Sequence, residues 1–211
     1  MPNLHLEVLP EKQLAVWHIL QQQAQQLEQF NYYLAGGTAL ALQIGHRQSV
    51  DFDFFSEIKN IGQKTFEWLH IQPDFVLREK DENTIHGELE QVKVSFIGGY
   101  KYPLVESLKK EEAISLASIK EIGLMKLLAI TNRSTIRDYI DLAVIIRDHI
   151  SLPDLLESSQ KKYGANFNTM ILLRALVSFN DLDPEHPTLL DKTLANTWQQ
   201  ILRDAVKKVA A

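Results

Sequence analysis

The chain has 211 residues, no cysteine and a formal net charge of −5, with 45% hydrophobic and 23% charged residues. That is enough chain for one substantial domain or two small lobes with a real core, and it excludes disulfides and thiolate metal sites. The acidic balance argues against a general nucleic-acid coat, which rests on Lys and Arg neutralising phosphate. Residues 1–13 carry charges where a signal peptide needs an apolar run. No stretch approaches the roughly 18 apolar residues of a membrane span. The expectation is a soluble cytoplasmic protein with no membrane partner.

From Pro10 to about Phe30, apolar residues at Leu14, Trp17, Leu20, Ala24 and Leu27 recur at helical spacing, with Pro at the first turn. Tyr32 to Ala35 reads as a buried strand ending in Gly36-Gly37. Thr38 to Ile44 reads as a short helix, with Thr38 as its N-cap and Gly45 as its stop. Val50 to Phe55 is a second strand, and Gln63 to Ile71 a short helix. Phe75–Arg78, Thr84–Leu89 and Val92–Ile97 read as strands, the last two joined by a hairpin at Glu90-Gln91. After Pro103 no strand is expected. Helices are expected at Ser118–Ile130, Ser134–Asp148, Pro153–Tyr163, Asn168–Phe179 and Leu189–Val209. This predicts an α+β chain in two lobes, an α/β lobe over 1–105 with a small mixed sheet and an all-helical lobe over 106–211. Basic residues gather in one third of the chain (Lys101, Lys109, Lys110, Lys120, Lys126, Arg133, Arg137), most of them read as solvated helix faces.

Alternation carries the chemistry of VDFDFF. Side chains alternate across a strand, so Val50, Phe52 and Phe54 point one way while Asp51 and Asp53 share the other face. Two carboxylates side by side on an otherwise apolar strand repel, and a divalent cation removes the conflict. Mg²⁺ takes hard oxygen ligands, typically one or two carboxylates with substrate phosphates. Gly36, Gly37 and Thr38 stand between a strand and a helix, where backbone N–H groups attract anions. No Gly-Lys-Ser/Thr follows the glycines, so this is not a Walker A loop. Phe55 stands where an EF-hand would need its third ligand.

The string GGTALALQIGHRQSVDFDFF resembles the signature of the AbiEii/AbiGii-type nucleotidyltransferase toxins, a branch of the DNA polymerase β-like superfamily. The resemblance runs from about Tyr32 to Ile146. It implies a nucleotidyltransferase lobe backed by a helical lobe, Mg²⁺, an NTP donor, a cognate antitoxin and modification of tRNA 3′ ends. Polymerase β-like enzymes commonly place a third acid on a neighbouring strand; in QVKVSFIGG that position is Ser95. The general base is therefore open, and Glu88 and Glu90 on the hairpin are substitutes whose blander reading is a solvated face.

IKEIGLMKLLAITNRSTIRDYIDLAVI resembles the family's later motif, which implies roles for Lys126 and Arg133 on the triphosphate and for Asp138 and Asp141. The two aspartates lie three apart on one helix face. They either orient the cations or assist the acceptor, with Asp141 the more buried and the stronger candidate. Arg47 is a candidate for phosphate or base contact, and Ser49 for the same site or for capping the turn. Two alternatives stay open: a non-catalytic nucleotide- or partner-binding module on the same fold, and an enzyme that modifies protein hydroxyls.

Overall fold

The computed structural model describes residues 4–111, 113–133, 135–183 and 186–210. A 3-10 turn (Leu6–Val8) leads to α1 (Glu11–Gln22), α2 (Ala24–Gln29), β1 (Tyr33–Ala35), α3 (Gly36–Ile44), β2 (Asp51–Phe55) and α4 (Gly62–Leu69). Strands β3 (Phe75–Lys80), β4 (Thr84–Leu89), β5 (Val92–Ile97), β6 (Lys109–Glu111) and β7 (Ile114–Leu116) follow. Then come α5 (Ile119–Asn132), α6 (Ile136–Asp148), α7 (Leu152–Tyr163), a 3-10 turn, α8 (Thr169–Ala175) and α9 (Leu194–Ala210). The strands form one seven-stranded mixed sheet in the order β3-β4-β5-β2-β1-β7-β6. β2 runs parallel to β5 and antiparallel to β1, while β7 is parallel to β1.

Period-2 alternation divides this sheet by chemistry. Phe52, Phe54, Ile85, Leu89, Val92, Val94 and Phe96 are buried on one face. Trp17 of α1 stacks on Phe52 at 6.3 Å, and Trp68 of α4 meets Phe96 edge-on at 5.3 Å. Each such side chain contributes about 1.5–3 kcal/mol by leaving water. The opposite face presents Asp51, Asp53, Phe55, Ser95 and His86 to a cavity walled by α5 and the start of α6. The β4–β5 hairpin turns at Glu90 and Gln91, both at positive φ, as a tight two-residue connection needs.

Several expectations are corrected. The sheet does not end before Pro103: β6 and β7 add a hairpin, and β7 pairs with β1 through Leu34 and Leu116. Three-residue strands are too short to show alternation in sequence. The first helix is broken at Gln23 into α1 and α2. Val50 is 47% exposed and stands outside the core, since it precedes the strand. Thr38 does not cap α3; the helix begins at Gly36 and its N-cap residue is Ala35, with no side-chain cap. Gly45 does stop α3, in the left-handed conformation. The expected start of α6 at Ser134 lies outside the described residues. The last two expected helices are shorter than read, ending at Ala175 and beginning at Leu194. Ser118 caps α5 by accepting from the Glu121 N–H.

Candidate active site

Three strands set the carboxylates in register. Ala35 of β1, Asp53 of β2, Ser95 of β5 and His86 of β4 form one row across the sheet. Asp51 and Asp53 are partly buried on the same face, flanked by buried Phe52 and Phe54. Burial and the neighbouring Asp51 charge push the Asp53 carboxyl above its ordinary range, and the Ser95 hydroxyl offsets part of that. Gly36 sits at φ 67°, where a Cβ would lie 3.2 Å from Asp53 Oδ2. Gly37 is more constrained: a Cβ there would fall 2.2 Å from an Arg47 Nη2 atom. The turn is therefore glycine because the backbone must pass directly over two side chains of the site.

Behind the turn runs a chain of buried charges. Asp141 accepts from Arg47 Nε (2.7 Å) and Nη2 (2.9 Å), and from His46 Nε2 (2.7 Å). Lys126 Nζ bridges Asp141 at 2.6 Å and Asp138 at 2.7 Å. Arg133 Nε closes the chain on Asp138 at 2.8 Å. Burial alone pushes Asp141 up, but Arg47 and Lys126 outweigh it and hold the carboxyl well below its ordinary range. Burial likewise raises Asp138, and Lys126 and Arg133 reverse the sign. For Lys126 burial works downward, and the two aspartates win, so its ammonium is held charged. Burial lowers the affinity of His46 for a second proton, so the imidazole is neutral and donates through Nε2.

These residues do not all reach the same space. A cavity of about 600 Å³ is lined by Gly36, Gly37, Arg47, Asp51, Asp53, Lys126, Arg133 and Asp138, all predicted from sequence. Thr38, Ser49 and Asp141 are buried beneath it. The Thr38 hydroxyl lies within hydrogen-bonding reach of the Asp51 carbonyl and of Ser49 Oγ, fastening α3 to the start of β2. Glu88 is turned to Arg78, and neither it nor Glu90 is among the lining residues. Sequence reasoning missed His46 as the third partner of Asp141, and it missed His86, Tyr100 and Asn132 in the cavity wall. His86 had a signal that was available: it stands on the polar phase of β4, opposite Ser95.

The donor set suits a small hard cation. Asp51, Asp53 and the Ser95 hydroxyl offer oxygen only, and the raised proton affinity of Asp53 marks a negative charge that a cation would relieve. No group of three or more His, Cys, Asp or Glu side chains placed to hold a metal occurs among the described residues. Two carboxylates with positions left for phosphate and water are the usual Mg²⁺ arrangement. No helix among the described residues is long and apolar enough to cross a membrane.

The sequence model of a family described as nucleotidyl transferase AbiEii toxin, Type IV TA system, matches residues 18–102 and 93–211. The uncharacterized protein aq_aa25 of Aquifex aeolicus (strain VF5) is 37% identical over 164 residues, covering 74% of this chain and 77% of that relative. A crystal structure of an H. pylori protein, described as a candidate nucleotidyltransferase, aligns over 93% of this chain and 96% of its own, with a TM-score of 0.53 and 19% identity. JHP933 from Helicobacter pylori aligns over 96% of both chains with a TM-score of 0.49 and 19% identity.

Proposed function

The chain belongs to the AbiEii nucleotidyl transferase toxin family and is a nucleotidyltransferase; we propose that it moves a nucleotide from an NTP to the 3′ end of a tRNA, as the toxin of a toxin–antitoxin pair. The observation that carries the reading is the row of Asp53 and Ser95 beside Gly36, facing Lys126 and Arg133 across one cavity. In this reading residues 1–105 supply the carboxylates, the turn and Arg47, and residues 106–211, which complete the sheet with β6 and β7, supply Lys126 and Arg133.

Asp51 and Asp53 would hold Mg²⁺, which when bound offsets phosphate charge and draws the phosphates into line. The N–H groups at Gly36 and Gly37 seat the β- and γ-phosphates at the α3 N-terminus. Arg133 keeps much of its guanidinium in the cavity opening while anchored on Asp138, and places charge on the leaving pyrophosphate. Lys126, neutralised on two aspartates, adds a fixed dipole to the same wall. The acceptor hydroxyl oxygen bonds to the α-phosphorus as the α–β phosphoanhydride bond breaks, and pyrophosphate departs toward the glycine turn. The hydroxyl proton goes to the imidazole of His86, which fills the role that Ser95 leaves open. Asp141 touches no substrate; it positions Arg47 and Lys126. An antitoxin partner and a cytoplasmic setting complete the proposal.

The test is transfer of label from each α-labelled NTP to total tRNA with Mg²⁺. Label on tRNA, abolished by Asp53→Asn, is the expected result. Label that persists in Asp53→Asn, or no label on any acceptor, overturns the proposal.

A further inference from the structure

A second cleft, of about 410 Å³, opens beside the first. Its walls include Tyr33, Lys59, Tyr100, Lys101 and Tyr102, with Glu57 as an opposing charge. Tyr100 lines both cavities, so the two share a wall. The sheet register fixes where the cleft lies. Tyr33, Phe55 and Ile97 form the row next to Ala35, Asp53 and Ser95, two residues further along each strand, or roughly 7 Å. The glycine turn extends past Ala35 in the other direction. Asp53 therefore stands between the phosphate-binding turn and the aromatic row. Displacement at phosphorus requires attacking and leaving oxygens on opposite sides. With pyrophosphate at the turn, the acceptor must approach from the aromatic side.

The cleft is also held in shape. Tyr100 meets Phe55 at 5.2 Å and Tyr102 at 5.8 Å, both edge-on, and Tyr102 meets Tyr163 at 4.7 Å. Lys162 and Glu121 form a wholly buried ion pair that pins the loop: Lys162 donates to the Pro103 carbonyl at 2.7 Å, and Glu121 accepts from the Val105 N–H at 3.0 Å. Exposed Lys59 and Lys101 stand at the rim, Lys101 with its ammonium 5.0 Å above the Tyr102 ring, in a chain otherwise net acidic. Aromatic walls with rim lysines are the chemistry of unpaired nucleotides, because every base has a face to stack and a phosphate to neutralise.

We propose that this cleft is the acceptor subsite and takes the unpaired terminal nucleotides of an RNA, stacked against Tyr100 and Tyr102 with Lys59 and Lys101 on the phosphates. The proposal rests on the RNA-acceptor reading above. The test compares the full-length protein on two labelled RNA hairpins, one with four unpaired 3′ nucleotides and one blunt. The wild type should use the overhang at least about ten-fold better than the blunt hairpin, as stacking of one or two bases allows. Lys59→Glu with Lys101→Glu, both on the surface, should raise KM for the overhang RNA about ten-fold or more and leave NTP affinity within about two-fold; Tyr102→Ala should do the same, with Tyr102→Phe restoring most of it. Wild type that labels RNA while the variants keep its KM, or that uses both hairpins equally, overturns the subsite alone. Wild type that labels no RNA and instead labels protein overturns the RNA reading and the subsite together.

Discussion

Arg47 and Asp141 meet through two parallel hydrogen bonds, 2.7 and 2.9 Å long, although 94 residues separate them in the chain. Both side chains are almost wholly buried. This pairing, with Lys126 as its neighbour, joins the carboxylate strand and its glycine turn to the helical half. It fixes the guanidinium that the backbone of Gly37 passes over.

Removing one member leaves the other charged in the interior. Asp141→Ala is expected to cost about 3–5 kcal/mol of unfolding free energy, since Arg47 and Lys126 lose a shared counter-ion. Arg47→Lys keeps the charge and loses the paired geometry, for about 1–3 kcal/mol. Urea unfolding by circular dichroism measures both; an Asp141→Ala loss below about 1 kcal/mol would show that the network is dispensable to folding.

Asp141 and Asp53 respond to pH in opposite senses. Asp141 and Asp138 have depressed carboxyl values, so their stabilisation is present above the ordinary aspartate range and is lost as pH falls through the depressed values. Asp53 is raised, so the stability it contributes is present in acid and is lost as pH rises through its raised value. Asp53→Asn is therefore expected to stabilise the metal-free protein at pH 7 while removing transfer activity. The gain should vanish near pH 3, where Asp53 is already protonated. Unfolding midpoints in EDTA across that range check the sign, and a destabilised Asp53→Asn at pH 7 contradicts it.

Gly37→Ala puts a Cβ 2.2 Å from the Arg47 guanidinium. Because that guanidinium is held on Asp141, it has little room to yield. A loss of about 1–3 kcal/mol is expected, with NTP affinity reduced in parallel. Isothermal titration with a non-hydrolysable NTP measures the second part; unchanged affinity would detach the turn from the phosphates.

Arg133 and Lys126 separate stability from activity. The Arg133 side chain is 62% exposed, and its pair with Asp138 is expected to add at most about 0.5 kcal/mol. Arg133→Ala should leave the unfolding midpoint nearly unchanged while lowering transfer by about 10²-fold or more. Lys126→Met should lower both. Equal activity in Arg133→Ala and wild type would remove Arg133 from the proposed mechanism.

His86→Ala is expected to lower kcat about 10²-fold and leave KM for the NTP unchanged. Partial recovery with added imidazole would separate loss of a proton acceptor from damage to the hairpin. A wild-type kcat would send the proton elsewhere.

The strands and the site were unequally legible. Asp51 and Asp53 were readable because alternation acts within five residues and needs no partner to be known. The β4–β5 hairpin was readable for the same reason, down to its Glu90-Gln91 turn. β6 and β7 were not, because β7 takes its place in the sheet by pairing with β1, some 80 residues earlier, and brings β6 with it, and not from any local pattern. Thr38 looked like a helix cap because Thr caps helices often, but its hydroxyl is spent on Ser49 and the Asp51 carbonyl. Lys126 was expected to be oriented by Asp138 and Asp141 as one of two roles for them, and it meets both; Arg47 was found as a charge, yet its partner Asp141 was not. Which buried carboxylate Arg47 meets depends on how the segment after α3 packs against α6, and sequence spacing is silent on that.

Helix α5 carries both Glu121, which anchors the loop of the second cleft, and Lys126, which enters the charge chain of the first. The two clefts therefore hang on one lever. A protein that tilted this helix by pressing on an outer surface would spoil donor and acceptor geometry in a single movement. Silencing of this enzyme would then require no molecule inside either cleft, and no competition with the nucleotide.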